Sequence, residues 1–176
     1  MRVLPTMISE ELVEATWRES ASFSLAAGRR EFDRIAKRQP VLLAFVLAES
    51  EDLSRDGAEL ANYLFGVIAR MFYAAVPKLR RISARAIQEC ADEVETRMTS
   101  LVGAHGRFLE SAAIAVSSRQ PHVFRYLVET LMEQRDADDP LQLTEDDKGG
   151  IFLILAAVIN ALDEKAVPQG TSSTPS

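Results

Sequence analysis

The chain has 176 residues, 47% of them hydrophobic and 26% charged, with a formal net charge of −6. That balance fits one soluble globular domain with room for an apolar core. A lone cysteine excludes an internal disulfide framework, few Gly and Pro exclude collagen-like or low-complexity chains, and no apolar run reaches the roughly 18 residues of a membrane span.

The opening MRVLPTMISEEL lacks the continuous apolar stretch of a secretory signal, so a cytoplasmic location is expected. Ser9 followed by Glu10, Glu11 and Glu14 reads as a helix cap and an acidic first turn. A long first helix is predicted from there to about Lys37, with Val13, Trp17, Phe32 and Ile35 on its apolar side and a kink near Gly28. Pro40 suits the first position of a second helix, where its missing N–H costs nothing. After a polar link, Leu60, Tyr63, Leu64, Val67, Ile68 and Met71 form one stripe of a third helix, predicted over 57–75. Phe65, Phe72 and Tyr73 flank that stripe and are expected to offer apolar area to a partner subunit.

A fourth helix begins near Ser83, and Ile87, Ala91, Val94, Met98 and Leu101 recur as a heptad-like seam. Gly103 and Gly106 predict a break around His105, with helix resuming through Val116. Pro121 opens another helix to about Arg135, Asp136–Leu143 reads as a loop, and Thr144 caps a last helix over about 145–163. Residues 166–176 are polar and small and read as a disordered tail.

The most informative feature is a repetition. Residues 38–47 read RQPVLLAFVL and residues 119–128 read RQPHVFRYLV. Three positions are identical and five of the other seven are apolar or aromatic in both. Carried along the chain, the offset gives two units of about 8–76 and 82–164. The expected fold is therefore an all-α domain over 1–165, a bundle of six or seven helices in which two pseudo-symmetric three-helix units share one core.

Catalytic signals are sparse. Neither His105 nor His122 follows a Glu-x-x pattern, and no HExxH or cysteine pair occurs, so neither a metal nor another cofactor is expected. The loop starting at Asp136 has Leu141 where a calcium loop needs glycine. Cys90 lies between acidic neighbours that oppose a thiolate. Glu14 and Glu95 occupy equivalent repeat positions and read as exposed helix residues. Arg38, Gln39, Arg119 and Gln120 precede helix starts, which favour anions, and are candidates for contact with an acidic ligand or partner.

These readings point to a non-enzymatic interaction or regulatory protein that associates with itself or another protein. The alternative is a small-ligand-binding bundle or an enzyme with a site between the two units, lined by Ser20, Ser24 and His105. Nucleic-acid binding is the least expected, because it requires the basic clusters at 29–38 and 78–85 to merge into one surface on an acidic chain.

Overall fold

The computed structural model describes residues 7–99 and 119–166. Among these residues are seven α-helices: α1 (Glu10–Ser22), α2 (Leu25–Arg38), α3 (Pro40–Glu49), α4 (Arg55–Ala75), α5 (Ala84–Thr99), α6 (Pro121–Met132) and α7 (Glu145–Glu164). A single 3-10 turn, Ser50–Asp52, links α3 to α4, and there is no strand among the described residues. No described helix is long and apolar enough to cross a membrane.

The helices pack around α4 and α7. Leu64, Phe65, Ile68 and Met71 of α4 and Ile151, Phe152, Leu155 and Ile159 of α7 are fully buried. Each such side chain contributes roughly 1.5–3 kcal/mol on transfer from water. Helix α5 lies along α7, α1 lies along α4, and α3 and α6 close the bundle. The predicted seam on α5 is the face that packs, with Ile87, Val94 and Met98 buried together with Cys90.

Two expectations are corrected. The first helix is not continuous: it ends at Ser22 and restarts at Leu25. The break falls at Phe23, whose backbone is extended (φ −65°, ψ 140°), and Ser24 Oγ accepts from Ala27 N to cap α2. Hydroxyls of Thr16, Ser20 and Ser22 already bond to carbonyls one turn back, which weakens the helix before the break. Gly28, the expected kink, lies inside α2. The second correction concerns Phe65 and Phe72, which are 0% and 3% exposed and belong to the core, so they offer nothing to a partner subunit. Tyr73 is half-buried, with the Arg38 guanidinium 4.7 Å over its ring.

Three polar joints fix how the helices meet. Gln39 and Gln120 share one backbone conformation (φ −130°, ψ 64° and φ −128°, ψ 61°), and each precedes a proline at the first turn of its helix. Both are buried. Gln39 Oε1 accepts from Ile82 N at 3.0 Å, and Gln120 Oε1 accepts from Ile8 N at 3.0 Å. Ile8 and Ile82 stand directly before the serines that cap α1 and α5, whose hydroxyls accept from Leu12 N and Ala86 N. Each glutamine thus anchors the start of a helix distant from it in sequence. The third joint is Asp147. Its carboxylate accepts from Ser54 N and Ser54 Oγ at the start of α4, and from Thr144 N at the start of α7. One anion therefore serves two helix N-termini, where the dipoles favour it. Gly57 makes room, since a Cβ there would lie 2.6 Å from Asp147 Oδ1.

Candidate functional site

A cavity of about 660 Å³ opens between α1, α2 and α4. The break at Phe23 creates it, because α2 turns away from the line of α1 and leaves a gap over α4. Phe23, Phe32 and Val67 form its apolar wall, and Gly66 lets the Phe32 ring approach α4, where a Cβ would meet Phe32 Cδ2 at 3.3 Å. Phe32 in turn stacks edge-on against Phe65, with centroids 6.4 Å apart. Leu25, 84% exposed, stands at the mouth.

The polar end is built around Arg70. Its guanidinium lies 3.2 Å from Glu19 and 3.7 Å from Glu31, donates to Ser20 Oγ, and sits 4.6 Å over the Phe23 ring. Four contacts from α1, α2 and the intervening break hold it, so it is a fixed wall rather than a free arm. Burial pushes the Tyr63 phenol up, opposed by Arg70, so the phenol is neutral at physiological pH.

Asn62 is the group left with chemistry to offer. Its Nδ2 donates to Ala58 O at 2.9 Å, which fixes the amide's orientation, while Oδ1 is buried with no hydrogen-bond partner among the described residues. A buried acceptor left unmade costs about 1–3 kcal/mol, so a donor brought to it is rewarded.

The predicted site residues fall as follows. Ser20 and Ser24 both line the cavity. The Ser20 hydroxyl donates to Thr16 O, and Ser24 Oγ caps α2, so neither is paired with a base. His105 lies outside the described residues. The cavity walls come from α1, α2 and α4, all in the first half of the chain. Arg38 stacks on Tyr73, and Arg119 lies 3.5 Å from Asp163. Gln39 and Gln120 turn inward, where their amides are used in the joints described above. Glu14 pairs with Arg18 at 2.5 Å, and Glu95 is exposed and accepts from Thr99. His122 sits in the first turn of α6 with Nδ1 3.4 Å from Arg125. Cys90 is 1% exposed, and burial with the nearby Glu164 pushes its thiol up to about 11, so it stays protonated. No group of three or more metal-ligating side chains occurs among the described residues.

Sequence reasoning missed Asn62 and Arg70 as site residues. Their signal was present: both interrupt an otherwise apolar helix, and such a residue must find a partner or a cavity. Comparison with protein-family models, curated proteins and solved structures finds no match.

Proposed function

We propose that the chain is a non-enzymatic regulatory bundle that binds a small amphipathic molecule in the α1–α2–α4 cavity. The ligand places an apolar body against Phe23, Phe32 and Val67 and a neutral donor, a hydroxyl or an N–H, on Asn62 Oδ1. The observation that carries this reading is a cavity of ligand size lined by Asn62, a residue whose Oδ1 has no hydrogen-bond partner among the described residues. Arg70, neutralised by Glu19 and Glu31, disfavours a ligand carrying full charge. A hydroxyl next to no base, and a fixed guanidinium, suit binding rather than turnover.

The test uses two probes of one shape, 2-naphthol and 2-methylnaphthalene, measured by calorimetry. Wild type is expected to bind the naphthol about tenfold tighter, as one hydrogen bond to a buried acceptor implies. In Asn62→Leu that preference disappears, while the unliganded protein becomes more heat-stable because its orphaned acceptor is gone. No binding of either probe at saturation would sink the reading.

The repeat architecture belongs here as an inference too. The matched Gln-Pro conformations, and the reciprocal bonds to Ile8 and Ile82, support two copies of one unit whose first helices are anchored by each other's glutamine. Self-association, the other expectation, keeps Leu47 and Met132 as support, each about half exposed. Sedimentation equilibrium tests it, and a monomer at high protein concentration would remove it.

A further inference from the structure

We propose that the outer face of α2 and the 78–81 segment form one docking surface for the phosphate backbone of duplex nucleic acid, read without base contacts. The starting observation is a segregation of charge. Arg29, Arg30, Arg34, Lys37, Arg38, Lys78, Arg80 and Arg81 have no carboxylate within 4 Å among the described residues. Of the cations elsewhere, Arg18, Arg55, Arg70, Arg85, Arg119, Arg125, Arg135 and Lys148 each lie within 4 Å of one, while Lys165 at the end of α7 does not.

The two unmatched groups, distant in sequence, are joined in space. Gln39 at the end of α2 donates to Arg80 O at 2.8 Å and accepts from Ile82 N, and Arg81 donates to Lys37 O at 3.3 Å. Arg34 and Arg38 line one shallow hollow of about 300 Å³ with Glu31, Arg70, Tyr73 and Pro77, the residue before Lys78. The Gln39 joint therefore makes one basic surface from two clusters. On α2, Arg30, Arg34 and Arg38 follow at steps of four, one above the other, so the cations of the helix span about 14 Å of rigid backbone.

The character of the surface selects the partner. Of the large exposed hydrophobics, only Leu25 lies on these elements, and it lines the cavity mouth. Nothing large and apolar stands among the cations to enter a lipid layer or to anchor a protein interface. No exposed ring is offered for base stacking, since Arg38 covers Tyr73, which argues against single strands. What is left is repeated point charge on a rigid support, which fits a regular row of phosphates. Two carboxylates of α2 stand near these cations: Asp33 is exposed, and Glu31 lines the same hollow as Arg34 and Arg38, where it is shared with Arg70 at 3.7 Å. The net charge of −6 acts mainly at a distance and is screened beyond about 10 Å at 0.1 M salt.

The experiment is fluorescence anisotropy of a labelled 20-base-pair DNA duplex, titrated with the full chain at stepped salt. Binding is expected at low salt, with log K falling linearly against log salt at a slope of about −4, the signature of four or five neutralised phosphates. Arg34→Glu with Arg81→Glu is expected to weaken binding at least tenfold and to flatten the slope by about 2. The control, Arg18→Glu with Arg55→Glu, makes the same change in net charge at paired sites and is expected to move affinity less than threefold. All four arginines are exposed, and circular dichroism verifies the fold; if the glutamate pair disturbs it, Arg34→Gln with Arg81→Gln serves instead. No binding at the lowest salt overturns the proposal, and so do equal losses in the two double variants. Tighter binding to poly-glutamate or to phosphatidylserine vesicles than to the duplex also overturns it. Arg29 lines the cavity as well, but the substituted Arg34 and Arg81 do not, so the cavity reading stands or falls separately in the naphthalene titrations.

Discussion

Gln39 and Gln120 share a backbone conformation and a task, yet they complete their hydrogen bonds on different chemistry. Both accept from the amide that precedes a serine-capped helix. With its Nε2, Gln39 donates to two neutral oxygens, Tyr73 Oη at 3.1 Å and Arg80 O at 2.8 Å. Gln120 donates from the same atom to the Asp163 carboxylate at 2.9 Å, a group 4% exposed that also lies 3.5 Å from Arg119. One joint is neutral; the other holds a buried charge. The same amide serves both because it carries a donor and an acceptor without a charge of its own. The difference teaches that, of the two glutamine joints, electrostatics enters the α6–α7 one and hardly the α2–α5 one.

The sharpest way to break the comparison is to give both glutamines a charge. Gln120→Glu sets two carboxylates against each other in a buried site, and the expected loss is about 3–5 kcal/mol at pH 7. Acid relieves the repulsion between the two carboxylates, so part of the loss is regained as pH falls. Gln39→Glu faces a phenol, which can turn to donate, and a carbonyl; its expected loss is about 2 kcal/mol, with weaker rescue by acid. Urea unfolding at pH 7 and pH 5 reads both. Equal losses and equal rescue would mean that Asp163 is not the charged member of its joint.

Asp147 sharpens the comparison from the other side, because it is a buried carboxylate with a full set of neutral donors. Burial pushes its carboxyl up, but hydrogen bonds from Ser54 and Thr144 outweigh that and hold it below its usual range. A depressed pKa contributes stability above the unfolded value, near 3.8, and that contribution is lost as pH falls through the folded value. Asp147→Asn is therefore expected to cost about 2–3 kcal/mol at pH 7. The gap from wild type should close below about pH 3.8. Thermal melts across pH 2–7 provide the measurement. A constant gap would place the cost in shape rather than charge.

These joints also mark how much of the molecule was legible in its sequence. Pro40 and Pro121 announced two helix starts, Ser9 and Thr144 announced two more, and heptad spacing found the buried face of α5. Such signals are local, carried within one turn of the residue that gives them. The glutamines were read as contacts for an outside anion because a Gln before a helix N-terminus says only that a polar group is there. Their partners lie 112 and 43 residues away, beyond any local pattern. In the sequence Asp147 is one of three acids in the first turn after the Thr144 cap, and nothing there shows its hold on α4, which depends on Gly57, a residue that signals nothing by itself. The cavity was half legible: Ser20 and Ser24 line it, but the break that opens it depends on a Ser24 cap hidden inside a stretch that otherwise reads as continuous helix.

The smallest effect tests whether the neutral joint is really a three-way one. Tyr73→Phe removes one acceptor from Gln39 Nε2 and leaves Arg80 O and the bond from Ile82 N intact. One partly buried N–H then goes unpaired, for an expected loss of about 1 kcal/mol. The Arg38 guanidinium keeps a ring to stack on, so the packing contribution survives. Gln39→Ala removes all three bonds and is expected to cost about twice as much. If Tyr73→Phe matched it, the phenol would be the anchor and the backbone partners incidental. The second half would then have no counterpart to copy, because Asp163 holds its place there by charge. A loss confined to about 1 kcal/mol, unchanged between pH 5 and pH 7, is what a neutral joint resting mainly on main-chain partners requires.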